Sequence, residues 1–248
     1  MRIKGALHVH SSLSGDGTMT IAELRRWYRG HGYQFIALTE HAEDLDEAGV
    51  ERLETQSQAN SDEGFRVIPG LEFSADPGLH LLGLGVTRLF PQTNLLAVIG
   101  HIHAEEGLAV LAHPRRIGWK CAAEILREID AVEIWNVGYD GKFLPPAAAL
   151  GRFAGWRRVN PRLLGVAGHD LHRRESFYDA AVEVDAATLS REAILASLRQ
   201  GRYEIRSLFF RADPAGRVSP GRAALLRMMS EPLRQARRAR AAAWGWFG

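Results

Sequence analysis

Gly5-Ala6-Leu7-His8-Val9-His10 opens the chain with an apolar run that ends in two imidazoles. The same grammar returns further along. Phe35–Leu38 leads into Thr39-Glu40-His41, Arg66–Leu71 into Glu72, Leu108–Ala112 into His113-Pro114, and Leu163–Ala167 into His169-Asp170-Leu171-His172. A single histidine after a strand means little. Five strand ends that all carry metal-ligand residue types point to a metal site.

Two more apolar runs, Leu81–Val86 and Val132–Trp135, bring the set to seven. Runs this apolar suit strands covered on both faces. Helix-like segments separate most of them: Thr20–His31, Leu45–Glu63, Thr93–Glu106, Ala122–Glu128, Pro146–Arg158 and Thr188–Gln200. Thr20 with Glu23 three residues on reads as a capping box, and Gly201 as a helix stop. Such alternation points to a parallel-rich sheet, open or closed into a barrel. One connection departs from it. Phe73–Gly78 is too short for a parallel crossover, so the third and fourth runs should form an antiparallel hairpin. That hairpin sets His80 on the same rim as Glu72.

A chain of 248 residues, 46% apolar, is long enough for one large α/β domain. No segment offers the roughly 18 unbroken apolar residues of a membrane span, and the first residues lack the apolar stretch of a signal peptide. Cys121 is the only cysteine, which excludes an internal disulfide and fits a cytoplasmic location. The net charge of +2 is uneven. Residues 206–248 hold nine Arg against Asp213 and Glu231, a net of +7, which leaves −5 on residues 1–205. The chain is therefore divided into a body, 1–205, and an Arg-rich C-terminal extension, 206–248, whose stretch 221–243 is helix-prone. A basic helix of this kind serves either nucleic acid or an anionic surface, or it packs on the acidic body.

Two residues apart on a strand, His8 and His10 share a face and can grip one ion together. Glu72 and Asp170 supply carboxylates, the natural bridges between divalent ions. His41, His80, His113 and His172 add nitrogen donors. Asp16 sits in the loop Ser14-Gly15-Asp16-Gly17, either as a ligand folded over the rim or as a turn residue. Sites in α/β barrels lie at the carboxyl ends of the strands, where these residues fall. Arg115 and Arg116 follow the Ala-His-Pro turn and either grip a substrate phosphate or form surface ion pairs. Glu133 is expected to orient a ligand rather than bind an ion. Trp119 and Trp135 either stack a base or pack at the rim. His31, His101 and His103 lie on helices and read as ordinary helical residues.

In this order, the His8-x-His10 opening, the loop through Gly17, Thr39-Glu40-His41, Pro69-Gly70-Leu71-Glu72, His80-Leu81-Leu82-Gly83, Ala112-His113-Pro114, Val132–Asn136 and Asp170-Leu171-His172 resemble the PHP (polymerase and histidinol phosphatase) family of metal-dependent phosphoesterases. The resemblance covers about residues 3–203. It implies a distorted seven-stranded, TIM-like β/α barrel and two or three divalent transition-metal ions, Zn, Mn or Fe. Carried over by position, one ion takes His8, His10, Glu72 and Asp170. A second shares Glu72 and takes His80 and His113. A third takes Asp16, His41 and His172. Glu40 and His169 depart from the family pattern, which usually has Asp at the first position and Ser-Asp-Ala-His around the second. His169 then either hydrogen-bonds substrate or fills space.

The resemblance implies hydrolysis of a phosphoester by metal-activated water, with no side-chain nucleophile. Three ions would bring +6 against −3 from Asp16, Glu72 and Asp170, and a pocket so charged wants an anion. The expected substrate is a phosphorylated small molecule, a nucleotide or a nucleic-acid 5′ end. The competing reading is a catalytically silent module that binds or supports. A hydrolase of C–N or C–O bonds on a similar barrel usually carries a carboxylated Lys, and Lys4, Lys120 and Lys142 stand at no strand end.

Overall fold

The computed structural model describes residues 1–76, 78–224, 226 and 228. Most of the helix-prone stretch 221–243 lies outside the described residues. In chain order the elements are β1 (Arg2–Val9), α1 (Ile21–Gly30), β2 (Phe35–Leu38), β3 (Glu40–His41), α2 (Glu47–Ala59), β4 (Arg66–Ile68), β5 (Gly70–Asp76), β6 (Leu79–Leu84), α3 (Leu95–Ala104), β7 (Leu108–Leu111), α4 (Ala123–Glu128), β8 (Ala131–Asn136), α5 (Ala147–Trp156), β9 (Leu164–Leu171), β10 (Ala181–Asp185), α6 (Arg191–Arg199), β11 (Tyr203–Arg206) and β12 (Arg211–Ala212). All seven apolar runs are strands. The third is broken at Pro69, which has no N–H to give the ladder.

The result is an α/β fold on a mixed sheet. β1 pairs in parallel with β2 on one side and β9 on the other. β2 pairs with β4 and β3 with β5, again in parallel. β7 pairs with β8, and β8 with β9, in the same sense. The expected hairpin is present: β5 and β6 are antiparallel, with Glu72 opposite Leu82 and Ser74 opposite His80. β6 is also antiparallel to β7.

Sequence chemistry explains the frame. Thr20 and Glu23 make the expected capping box at α1, whose Ile21, Leu24 and Tyr28 bury one stripe. Ser190 caps α6 by accepting from the N–H of Ala193. Gly5 must be glycine because a Cβ there would fall 2.0 Å from the Phe35 ring in the core.

Beyond the seven runs, the antiparallel trio β10, β11 and β12 extends the sheet from the first half of β1. The boundary drawn at 205/206 cuts through β11, so the body reaches further than charge alone indicates. Phe210 and Ala212 are buried, and the Gly165 N–H donates to the Pro214 carbonyl at 2.7 Å. No described helix is long and apolar enough to cross a membrane.

Candidate metal centre

Eight of the nine ligand candidates converge around Glu72, and Asp16 closes the outer edge. The Glu72 carboxylate is buried. Its Oε2 lies 3.3 Å from Nε2 of His8, 3.3 Å from Nε2 of His10 and 3.4 Å from Nδ1 of His41. Its Oε1 lies 2.6 Å from Nδ1 of His80 and 3.2 Å from Nε2 of His113. Asp170 Oδ1 lies 3.4 Å from Nε2 of His8 and 3.5 Å from Nδ1 of His172. Asp16, on an exposed loop, sets its carboxylate 3.5 Å from His41 and 3.2 Å from His172.

The backbone bends to make this happen. His8, His113 and Asp170 all have positive φ, at 60°, 28° and 51°. That region is costly for residues with a Cβ, and outliers of this kind gather at functional sites. At His8 the pairing of β1 with both neighbours shifts register. Simple strand alternation is therefore not what aligns His8 with His10. A bulge re-aims them, as bulges do near sites.

The donor set fits cations. Nε2 of His10, Nδ1 of His41, Nδ1 of His113 and Nε2 of His172 are buried without a hydrogen-bond partner. Spacings near 3.3 Å are loose for hydrogen bonds. They match the edges of a polyhedron whose centre lies about 2.1 Å from each ligand atom. Four triads place their donor atoms within 4.8 Å of one another: His8, His10 and Glu72; His8, His113 and Asp170; Glu72, His80 and His113; His10, His41 and His172. Electrostatics agree. Burial alone pushes the His8 pKa down, but Glu133, Asp170 and Glu72 outweigh it and hold it well above the usual imidazole value. Burial likewise raises Glu72, yet His8, His10 and His113 hold it well below the usual carboxylate range. His10 is pushed down to about 4, chiefly by burial. Two buried carboxylates, Glu72 and Glu133, with the largely covered Asp170 beside them, demand positive charge between them.

Supporting groups surround the cluster. Glu133 sets Oε1 2.6 Å from Nδ1 of His8 and accepts the His113 backbone N–H at Oε2, also at 2.6 Å. Glu40 accepts from the N–H groups of Ser11 and Ser14 and from the Ser14 hydroxyl, which fixes the loop carrying Asp16. Burial raises the Glu40 pKa despite those serine donors. Sequence reasoning missed this duty of Glu40, although the oxygen-rich Ser11-Ser12-Leu13-Ser14 was its signal. It also missed Tyr139, half exposed, whose ring centroid lies 5.0 Å from that of His113.

Some candidates stand elsewhere. His169 is buried, its Nε2 donating to the Ala180 carbonyl at 2.6 Å and its Nδ1 accepting from the Tyr28 hydroxyl at 2.8 Å. Burial pushes its pKa down to about 4, so the ring is neutral. Both nitrogens are spent inside the protein, which corrects the substrate-binding reading in favour of core filling. Arg115 uses Nη1 on the carbonyls of Tyr139 and Asp140, at 3.0 and 3.3 Å, and thereby ties down the loop after β8. Arg116 keeps to the site, with Nη1 3.5 Å from Nε2 of His80. Trp135 is fully buried and donates to the Gly141 carbonyl, and Trp119 packs against Trp156. His101 and His103 find partners on Arg88 and Asp130, as helical residues do.

Comparison with known proteins agrees with this geometry. The family model of the PHP domain matches residues 6–128. The DNA polymerase/3′-5′ exonuclease PolX of Bacillus subtilis is 37% identical over 84 residues, 31% of this chain. The match spans only 15% of that longer protein. A two-domain protein from Bacteroides vulgatus, described as containing a predicted PHP-like metal-dependent phosphoesterase, superposes with a TM-score of 0.62 at 18% identity. It covers 85% of this chain and 66% of its own. PsfC from Pseudomonas syringae gives 0.59 at 18% identity, covering 95% of this chain and 98% of its own. An amidohydrolase from Chromobacterium violaceum, solved with sulfate and no metal, gives 0.52 at 16% identity, covering 80% and 96%. At such identities the structures share a fold.

Proposed function

We propose, from the premise that residues 6–128 are a PHP domain, that the chain hydrolyses phosphoesters with a cluster of three divalent metal ions. The observation that carries this reading is the set of buried ring nitrogens without a hydrogen-bond partner on His10, His41, His113 and His172, gathered around the buried Glu72 carboxylate and its neighbours Asp170 and Asp16. In this reading the seven strands from β1 through β9, with β2–β3 and β4–β5 each counted as one, form a distorted barrel around the cluster.

His8, His10, Glu72 and Asp170 hold one ion. Glu72, His80 and His113 hold a second, with Glu72 the bridge. Asp16, His41 and His172 hold the third, with His10 alongside. Bound there, the ions supply Lewis acidity to a phosphoryl oxygen and lower the pKa of a water. The protein's own residues do the rest. Arg116 offers a guanidinium at the His80 edge for a phosphate oxygen. Glu40 and the Ser11–Ser14 loop keep Asp16 at the mouth. Tyr139 and the loop held by Arg115 wall the opposite side. The substrate is a phosphomonoester, a nucleotide or a nucleic-acid 5′ end.

Elemental analysis of the purified chain, followed by assays on phosphomonoesters, nucleotides and 5′-phosphorylated oligonucleotides, tests the proposal. Two or three ions of Zn, Mn or Fe per chain and chelator-sensitive phosphate release are expected. Metal binding without hydrolysis of any member would instead favour the silent-module reading. Less than half an ion per chain, with none regained on Mn or Zn addition, overturns the site.

A further inference from the structure

The Glu133 carboxylate sits at the back of the cluster, fully buried, and touches two of its histidines at once. Its Oε1 meets Nδ1 of His8 at 2.6 Å. Its Oε2 accepts two donors, the backbone N–H of His113 at 2.6 Å and the Asn136 side-chain amide at 2.8 Å. The fold makes room for it. A Cβ on Gly168 would fall 1.6 Å from Oε1 of Glu133. Both histidines it holds sit in the left-handed backbone region.

From this arrangement we propose that Glu133 is a positioning residue that fixes the tautomer of His8, turning a bare Nε2 toward Glu72 and Asp170 and anchoring His113 with the same carboxylate. The inference rests on the metal-binding reading for the worth of that tautomer, and on geometry alone for its existence. An ionised carboxylate accepts only, so Nδ1 of His8 must carry a proton, and in the neutral ring that a bound metal ion requires Nε2 then keeps its lone pair. Nε2 is the atom that lies 3.3 Å from Glu72 and 3.4 Å from Asp170. Histidine ligands depend on such partners for orientation and basicity.

The pattern of donors makes Glu133→Gln a reversal rather than a deletion. The His113 N–H is a backbone donor and cannot turn. Asn136 is pinned too, because its Oδ1 accepts the Tyr139 N–H at 3.0 Å, which leaves its NH2 facing Glu133. Two donors therefore point at the Oε2 position. A glutamine must place its carbonyl oxygen there and its NH2 toward His8. Nδ1 of His8 must then accept, and the proton moves to Nε2, where it blocks a ligand. The substitution keeps the shape and inverts the tautomer.

Long-range proton–nitrogen correlation spectra of the full zinc-loaded chain test this, with His8 assigned by the signal lost in His8→Asn. The wild type should show a protonated Nδ1 and a zinc-shifted Nε2. Protonation at Nε2 of the wild type overturns the proposal outright, whatever the variants do. Glu133→Gln should melt like wild type after chelation, show Nε2 protonated, and lose about 10- to 100-fold in Zn2+ affinity by chelator competition. A folded Glu133→Gln with wild-type tautomer, or affinity within twofold of wild type, also overturns it. Wild-type protein that binds no zinc defeats the metal reading instead, and spectra at a pH high enough to neutralise the His8 ring then read the tautomer on its own, with Nε2 protonation overturning it.

Discussion

His80 lies across the β5–β6 hairpin from Glu72, two residues out of register, and brings its Nδ1 to 2.6 Å from the Glu72 Oε1. The tight hairpin between β5 and β6 thus sets a nitrogen donor against the carboxylate that three other imidazoles approach from the opposite oxygen. Glu72 is the geometric centre of the cluster.

Glu72→Gln should therefore cost more metal than any single histidine substitution. An amide cannot bridge two cations through both of its atoms, since one is a donor. Elemental analysis should show the loss of more than one ion per chain, and phosphate release should fall by at least ~100-fold, about 2.7 kcal/mol of barrier. His80→Ala should lose one ion at most. Equal losses from the two variants would deny Glu72 its bridging place.

How this centre could be read from sequence depends on the residue. His8, His41, Glu72, His113 and Asp170 were legible because each ends an apolar run, and the order of the runs carried the topology. Glu133 was legible in kind, as a carboxylate expected to orient a ligand, although it lies inside β8 rather than at its end. Three features were not. The positive φ of His8 follows from a bulge that no periodicity signals. The burial of His169 depends on Tyr28 from a helix 141 residues away. The β11–β12 hairpin was hidden by its arginines, which made a strand pair look like the start of a basic tail.

Glu40→Ala should destabilise the fold by about 3 kcal/mol or more, because three buried donors of Ser11 and Ser14 lose their acceptor at once. Urea denaturation of the chelated protein should show a lower midpoint at unchanged slope. A midpoint matching wild type would mean that water replaces the carboxylate and the loop does not need it.

Arg115 and Arg116 should separate in kinetics. Arg116→Ala should raise KM several-fold at unchanged metal content, as expected when ground-state grip on phosphate is lost. Arg115→Ala removes donors from the carbonyls of Tyr139 and Asp140, so its main effect should be a lower melting temperature. A KM effect confined to Arg115→Ala would exchange the two roles.

Cys121 should react slowly. Burial pushes its thiol up to about 11, so the thiolate is scarce at neutral pH. Its alkylation by iodoacetamide should run about 100-fold slower at pH 7.5 than that of an exposed cysteine, two pKa units lower, and should keep rising past about pH 10. A rate that levels off by about pH 10 would mark an ordinary thiol.

Truncation should find the true edge of the body. Ending the chain at Arg206 removes β12, the buried Phe210 that packs on Trp135, and the Pro214 carbonyl that receives the Gly165 N–H. Phe210 alone is worth about 3–5 kcal/mol on the scale of buried aromatic deletions, a large part of the stability of an ordinary domain. That variant should fail to fold or melt far below wild type. Ending the chain at Met228 keeps every one of those contacts and the buried Leu226, so it should melt like wild type and keep its metal. The two truncations also divide the roles of the basic extension. If residues beyond 228 guide nucleic acid, their loss should slow hydrolysis of 5′-phosphorylated oligonucleotides at low salt while leaving a small phosphoester untouched. Raising the salt should erase that difference, since arginines acting through phosphate attraction are screened. Equal rates on both substrates at every salt concentration would leave the extension no part in substrate capture.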